Sequence, residues 1–468
     1  MLASASCNGW SATMTEQPTL EIAVVGHTNV GKTSLLRTLL RDVHFGKVED
    51  MPGSTRQVQG APVALDFKTV LTLYDTPGIE DSIGLLDYLE QLSNRTRRLD
   101  GPDRIRLFLE SPEASSLYEQ EARVLRKLLN CHAGLYVVDV REPVLAKHRD
   151  ELAILSSCAR PLLPILNFVA SPAARTQEWR DALARVGLHS ALSFDSMSPP
   201  LDGEEKLYQA LSLLLSSYQA TLSALQEQTE KQRQTRRTAS ISLIADMLID
   251  VASLRMRIGA DADIAQKNMA MQHRVREREQ ACVNALLNLF QFRQDDYLST
   301  PLPLTEGRWD LDLFSPQALQ NFGVHVGMGI AAGATLGATV DVLSAGLSLG
   351  TGMAIGAIAG GALKVVDRWG SRVLGKMRGF RELTVDQSIL QILVLRQMQL
   401  LNGLEHRGHA ALTPLRLEQA PHLSLENPAL TKTINLARAH PEWSAISEIF
   451  NHSPAREHAL EALAKALC

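Results

Sequence analysis

A doubly wound α/β domain with a largely parallel sheet, followed by an α-helical C-terminal region, is the fold class this sequence predicts. Three observations lead there. Apolar segments near 20–26, 57–66, 69–76, 133–140, 161–168 and 189–194 are separated by helical stretches. The turn after the first is glycine-rich and opens a helix. From Glu204 the alternation stops, and long helical periodicity takes over.

The first strand, Ile22-Ala23-Val24-Val25, runs into Gly26-His27-Thr28-Asn29-Val30-Gly31-Lys32-Thr33-Ser34, which fits GxxxxGKS/T. Strand, loop and helix in that order make a phosphate cradle. The glycines let backbone N–H groups turn toward phosphate oxygens, Lys32 reaches the β/γ-phosphates, and the Thr33 hydroxyl is placed to hold Mg²⁺. Further on, Leu71-Thr72-Leu73-Tyr74 alternates as a strand and ends in Asp75-Thr76-Pro77-Gly78. There the Asp75 carboxylate can hold Mg²⁺ through water, and the Gly78 N–H can meet a γ-phosphate. Between the two motifs lies Pro52-Gly53-Ser54-Thr55-Arg56, where a hydroxyl could close over the γ-phosphate and metal. Taken alone, those five residues would read as a plain turn.

With GxxNxGKS, PGTTR and DTPG expected in this order and spacing, residues 20–220 resemble the Era/TrmE branch of translation-factor-class GTPases. The chain is similar to bacterial Era-like GTPases that bear a large C-terminal domain of unknown function. The resemblance implies a Ras-like P-loop GTPase domain binding GTP and Mg²⁺, with Thr55 as the switch threonine and third metal-side residue, ahead of Ser54. It also implies that Asn29, as in TrmE-like enzymes, helps hold K⁺ against the phosphates when two nucleotide domains meet as a homodimer. The other reading of Asn29 is a hydrogen bond within its own loop. Ile79 follows Gly78, and an aliphatic side chain cannot orient an attacking water.

The base-reading motif departs from the family. Where NKxD belongs, the sequence is Asn167-Phe168-Val169-Ala170, so the aspartate that would accept the guanine donors is missing. Asn167 keeps its place among the nucleotide-binding residues, and guanine specificity rests on the resemblance. Asp195 either supplies a substitute carboxylate or starts the turn before Pro199-Pro200.

Composition agrees with a large multi-domain cytosolic chain: 468 residues, 45% hydrophobic, can bury two or three cores. A formal net charge of −4 provides no chain-wide field for DNA. Cys7, Cys131, Cys158, Cys282 and Cys468 are scattered without a CxxC pair, which favours a reducing compartment and gives no zinc pattern. The 13 histidines form no metal-spaced pair. Residues 1–19 read as a disordered leader without the features of a signal peptide, and Met14 is an alternative start.

The stretch 79–129 exceeds what a switch helix needs, and its charged Pro/Gly-containing middle, 95–112, reads as an inserted loop. Beyond the nucleotide domain, 221–299 reads as a long helical region that continues the stripe Tyr208, Leu211, Leu214, Leu215, Leu222 and Leu225. Its clusters Lys231/Arg233/Arg236/Arg237 and Arg274/Arg276/Arg278 are either a solvated helix face or contacts to anionic lipid or RNA. After a linker at 300–321, residues 322–366 are nearly uncharged with glycines spaced by fours, as at 329, 333 and 337. Such small-residue faces suit either a helical hairpin in lipid or a close-packed pair inside a soluble domain. Each arm approaches the roughly 20 residues that span a bilayer. Lys364, Arg368, Arg372, Lys376, Arg378 and Arg381 follow, as cytoplasmic flanks do. Residues 367–468 read as a further helical region without catalytic constellation.

The expected function is a GTP-hydrolysing switch at the cytoplasmic face of the inner membrane, contacting guanine nucleotide and membrane lipid. The rivals are a slow or non-hydrolysing nucleotide-binding scaffold and a soluble RNA-maturation GTPase. The last would need an RNA-binding module that the sequence does not display.

Overall fold

A computed structural model describes residues 18–42, 45–46, 58–95, 99–258, 263–292, 304–305, 308–309, 312–314, 347–349, 381–407 and 428–468. These form two compact units, the first extending to Thr229 and the second beginning at Glu230.

The first unit is built on a six-stranded sheet: β1 (Leu20–Val25), β2 (Gln59–Leu65), β3 (Lys68–Asp75), β4 (Ala133–Asp139), β5 (Leu162–Asn167) and β6 (Leu192–Ser193). The order is β2-β3-β1-β4-β5-β6, parallel except for edge strand β2, which pairs antiparallel with β3. The expected α/β class and strand positions are therefore observed, with β6 shorter than the sequence suggests. Strands β4 and β5 are buried at every residue because helices cover both faces, and so they read as unbroken apolar runs. Strand β2 carries Gly60 and Pro62, which only an edge tolerates well. It turns into β3 through Asp66 and Phe67, both at positive φ, as a two-residue hairpin requires.

The helices are α1 (Lys32–Leu40), α2 (Ser82–Arg95), α3 (Gly101–Leu109), α4 (Glu119–Asn130), α5 (Ala146–Ser156), α6 (Thr176–Arg185), α7 (Gly203–Leu214) and the start of α8 (Gln219–Ser253). Helix α3 corrects the expected loop at 95–112. Asp100 caps it by accepting the Asp103 N–H (2.9 Å), Pro102 stands in the first turn, and Ile105 and Phe108 are buried three residues apart. Asp103 and Arg106 face outward and pair with each other, Arg104 donates to Ser157 (3.1 Å), and that charge density resembles loop composition. Of the predicted stripe, Tyr208, Leu211, Leu215, Leu222 and Leu225 are buried in the core, whereas Leu214 is exposed.

The second unit is mainly helical: the rest of α8, α9 (Ile264–Leu289), α10 (Gln387–Glu405), α11 (Pro428–Ala439) and α12 (Pro454–Leu467). A strand, β7 (Arg255–Ile258), interrupts the expected run of helix and pairs antiparallel with β11 (Arg381–Val385), which also pairs with β10 (Leu347–Leu349). Strands β8 (Leu304–Thr305) and β9 (Arg308–Trp309) make a small hairpin within the expected linker. Of the glycine-rich stretch 322–366 only Leu347–Leu349 are described, and they are extended rather than helical because they bond to β11. The rest of the expected hairpin lies outside the described residues. Among the described residues no helix is long and apolar enough to cross a membrane.

The basic clusters are largely consumed internally. Arg278 bonds Asp246 (2.7 Å) and Asp250 (2.6 Å), Arg276 pairs with Asp312 (2.6 Å), and Arg274 with Glu448 (3.2 Å). Arg233 pairs with Glu230 and Arg237 with Glu405. Arg456 closes a buried knot on Asp246 (2.7 Å) and Asp250 (2.8 Å), so these charges specify packing rather than a free basic face.

Candidate functional site

The register Val24↔Asp75 between β1 and β3, and Asp139↔Asn167 between β4 and β5, brings the predicted motifs to the C-terminal edge of the sheet. Residues 26–31 leave β1, cross that edge and open α1. Gly31 caps the helix at φ +90°, where a Cβ would stand 2.4 Å from Asn167 Nδ2. No other residue fits both that backbone and that contact.

Lys32 is buried, 6% exposed, and its ammonium donates to the carbonyls of Gly26 (3.0 Å) and His27 (2.7 Å). Burial lowers its pKa to about 8, against the opposing pull of the Asp75 and Glu151 carboxylates. Thr33 Oγ1 donates to Asp75 Oδ2 (2.6 Å) at the end of β3. Asp75 is 1% exposed, its pKa is raised by burial, and its Oδ1 has no protein hydrogen-bond partner. A hydroxyl beside a buried carboxylate with an unused oxygen is a donor set that fits Mg²⁺. Ser34 lies in the first turn of α1. The exposed Asn29 stands at φ 66°, and no hydrogen bond of its side chain is found among the described residues. Gly78 packs against Thr28, and Ile79 is fully buried with its N–H on the Gly26 carbonyl (3.2 Å). Thr55 and Ser54 lie outside the described residues. Arg37 on α1 holds the chain leading toward them by donating to the carbonyls of Phe45 and Gly46, each at 2.7 Å.

Asn167 acts as a strut. Fully buried, it donates to the Val30 carbonyl (2.9 Å) and accepts the N–H groups of Phe168 (3.0 Å) and Ser196 (2.9 Å). Both oxygens of Asp195 are engaged, Oδ2 by the Ala170 N–H (3.0 Å) and Oδ1 by those of Met197 (2.9 Å) and Ser198 (3.2 Å). That geometry favours the turn reading of Asp195. Phe168, at φ 61°, lies beneath the Arg141 guanidinium (3.9 Å), which Asp139 pins through both oxygens.

Motif reading missed the groups beneath the loop. His27 faces Lys147 (3.0 Å) and Glu151 (3.8 Å), both on α5. Glu151 is fully buried, and burial pushes its pKa up while Lys32 and Lys147 pull it down. It lies 119 residues from Lys32 (151 − 32), beyond the reach of any local pattern.

A buried lysine over a glycine-rich turn, a hydroxyl–carboxylate pair beside it and a parallel sheet beneath define a P-loop nucleotide-binding domain. Residues 21–168 match the family described as 50S ribosome-binding GTPase, and residues 180–465 match the domain of unknown function DUF3482. Since the second match spans well over half of the chain, the protein belongs to the DUF3482 family, as a bacterial Era-like P-loop GTPase carrying that domain at its C-terminus. Among curated relatives, GTPase Der of Caldanaerobacter subterraneus subsp. tengcongensis is 24% identical over 155 residues, 33% of this chain and 34% of that protein. GTPase Der of Herminiimonas arsenicoxydans is 28% identical over 228 residues, 47% of this chain and 45% of that protein. The chain thus spans less than half the length of these relatives. Among solved structures, Aquifex aeolicus Era bound to GDP and aluminium fluoride aligns at 16% identity and a TM-score of 0.30, covering 42% of this chain and 56% of that one.

Proposed function

We propose that this protein binds GTP with Mg²⁺ and hydrolyses it to GDP and phosphate as a conformational switch. The observation that carries the reading is the buried Lys32 ammonium, fixed by two loop carbonyls beside the Thr33–Asp75 pair. Lys32 meets the β/γ-phosphates, the 26–31 backbone cradles them, and the Gly78 N–H faces the γ-phosphate. Bound Mg²⁺ supplies charge stabilisation on the phosphate oxygens, and Thr33, Asp75 and Thr55 are the residues that hold it. Phosphate release in a single turnover tests the reading. Tight binding without release would favour the non-hydrolysing scaffold.

Base selectivity follows from what surrounds Asn167. With Ala170 in place of the aspartate and Asp195 engaged by three backbone donors, nothing described there accepts both guanine N–H groups. GTP is expected to outcompete ATP by less than about 100-fold, where a site with a dedicated polar partner reaches 10⁴ or more. Competition binding checks this, and strong guanine selectivity would refute it.

Ile79 is buried and cannot orient water, so the help with hydrolysis that this position would give comes from elsewhere. Asn29, exposed at the loop, would help hold K⁺ when two nucleotide domains meet, and the ion would supply positive charge near the phosphates. Turnover is expected to rise in K⁺ over Na⁺, to depend more than linearly on protein concentration, and to vanish in Asn29→Ala while binding persists. Equal rates in the two salts at matched ionic strength would sink the idea.

The glycine spacing of 322–366, followed by its basic flank, supports placement at the cytoplasmic face of the inner membrane. Full-length protein is expected in the membrane fraction, and a chain lacking 322–366 in the supernatant. Full recovery of the intact protein without detergent would overturn this placement.

A further inference from the structure

Residues 78–81, just beyond the metal-side carboxylate, are held from two sides. The peptide joining Gly78 to Ile79 is fixed at both ends: its N–H donates to the Gly26 carbonyl (3.2 Å), and its C=O accepts from Gln120 Nε2 (2.6 Å). The next residue of α4 extends the grip. Glu121, only 4% exposed, accepts the N–H groups of Glu80 (3.1 Å) and Asp81 (3.2 Å) on one carboxylate oxygen. Asp81 in turn accepts the Gly84 N–H (2.8 Å) at the start of α2. On the cradle side Gly78 sits so close that a Cβ would stand 2.5 Å from Thr28 Cα. Releasing the loop would leave the buried Glu121 carboxylate without its two backbone donors, so the arrangement resists motion.

We propose that Gln120 and Glu121 are positioning residues for the triphosphate: by fixing the 78–79 peptide and the N–H groups of residues 80 and 81 they hold the Gly78 backbone in place, so that the N–H on its other side, in the 77–78 peptide, is set for the γ-phosphate before nucleotide binds. The proposal rests on the GTPase reading above. A loop ordered in advance has less conformational freedom to lose on binding, and only a ligand that bears the γ-phosphate reaches it. The clamp therefore acts on GTP and not on GDP. Its helix, α4, ends the long path from Gly78 to β4, so a stretch outside the nucleotide motifs sets the geometry of one of them.

The test uses full-length protein and fluorescent derivatives of GDP and of a non-hydrolysable GTP analogue, with Glu121→Gln and Gln120→Ala. Each variant is expected to weaken the analogue by about tenfold and GDP by less than about twofold, in line with the loss of a charge-assisted or buried hydrogen bond. Equal losses for both nucleotides, no loss for either, or tighter analogue binding would overturn the proposal. Gln120 is only half-buried, so its variant carries the test should Glu121→Gln fail to fold. Wild-type protein that binds neither nucleotide would sink the GTPase reading itself, whereas tight wild-type binding with unchanged variants sinks only the clamp.

Discussion

Lys32→Ala is expected to lower GTP affinity or turnover by about 100-fold or more, because the β/γ-phosphate charge then has no fixed cation in a site shielded from water. The same change leaves Asp75 and Glu151 buried without the positive charge that faces both. Titration calorimetry, with circular dichroism to confirm folding, measures the loss. Affinity and turnover both near wild type would overturn the cradle assignment. A pH series adds a second readout. The Lys32 pKa is lowered by burial to about 8, so above that pH the free protein presents a neutral amine and binding must take up a proton. Affinity should therefore hold below pH 8 and decline as pH rises through it, a decline absent in Lys32→Ala.

Asn167→Ala is expected to cost about 3 kcal/mol of stability, since the Val30 carbonyl and the Ser196 N–H would lose their shared partner inside a fully buried space. Nucleotide affinity should fall with it, because Val30 belongs to the cradle that the side chain braces. Chemical denaturation measures the first effect and nucleotide titration the second. Asn167→Asp is expected to be as damaging, because a carboxylate cannot donate to Val30 and would be buried as a charge. A loss below about 1 kcal/mol in both variants would show that the strut is dispensable.

The two arguments draw on different kinds of legibility. Lys32 and Thr33 could be read as candidates directly because a phosphate cradle is local: one strand, one turn and one helix start, in a fixed order; Asp75 was legible from a second local motif, at the end of β3. Central strands β4 and β5 were equally plain, being buried on both faces and so apolar throughout. Helix α3 was not, since its three charged residues, Asp103, Arg104 and Arg106, outnumber the two buried residues that hold it. Strand β7 was missed for a related reason. Arg255–Ile258 is four residues long between two long helices, and it becomes a strand only because β11, more than a hundred residues away, supplies its partner.

What the sequence alone determined was the class of the nucleotide domain and the residues proposed to meet phosphate, because such a cradle is built from backbone and side chains adjacent along the chain. Tertiary structure decided the supporting cast. It turned Asn167 into a brace for the P-loop and closed Asp195 onto three backbone donors. It set Glu151 beneath Lys32, and bound residues 78–81 to Gln120 and Glu121. Each depends on burial and on a partner distant in sequence, and a buried polar group takes its role from whichever donor or charge the fold places opposite it.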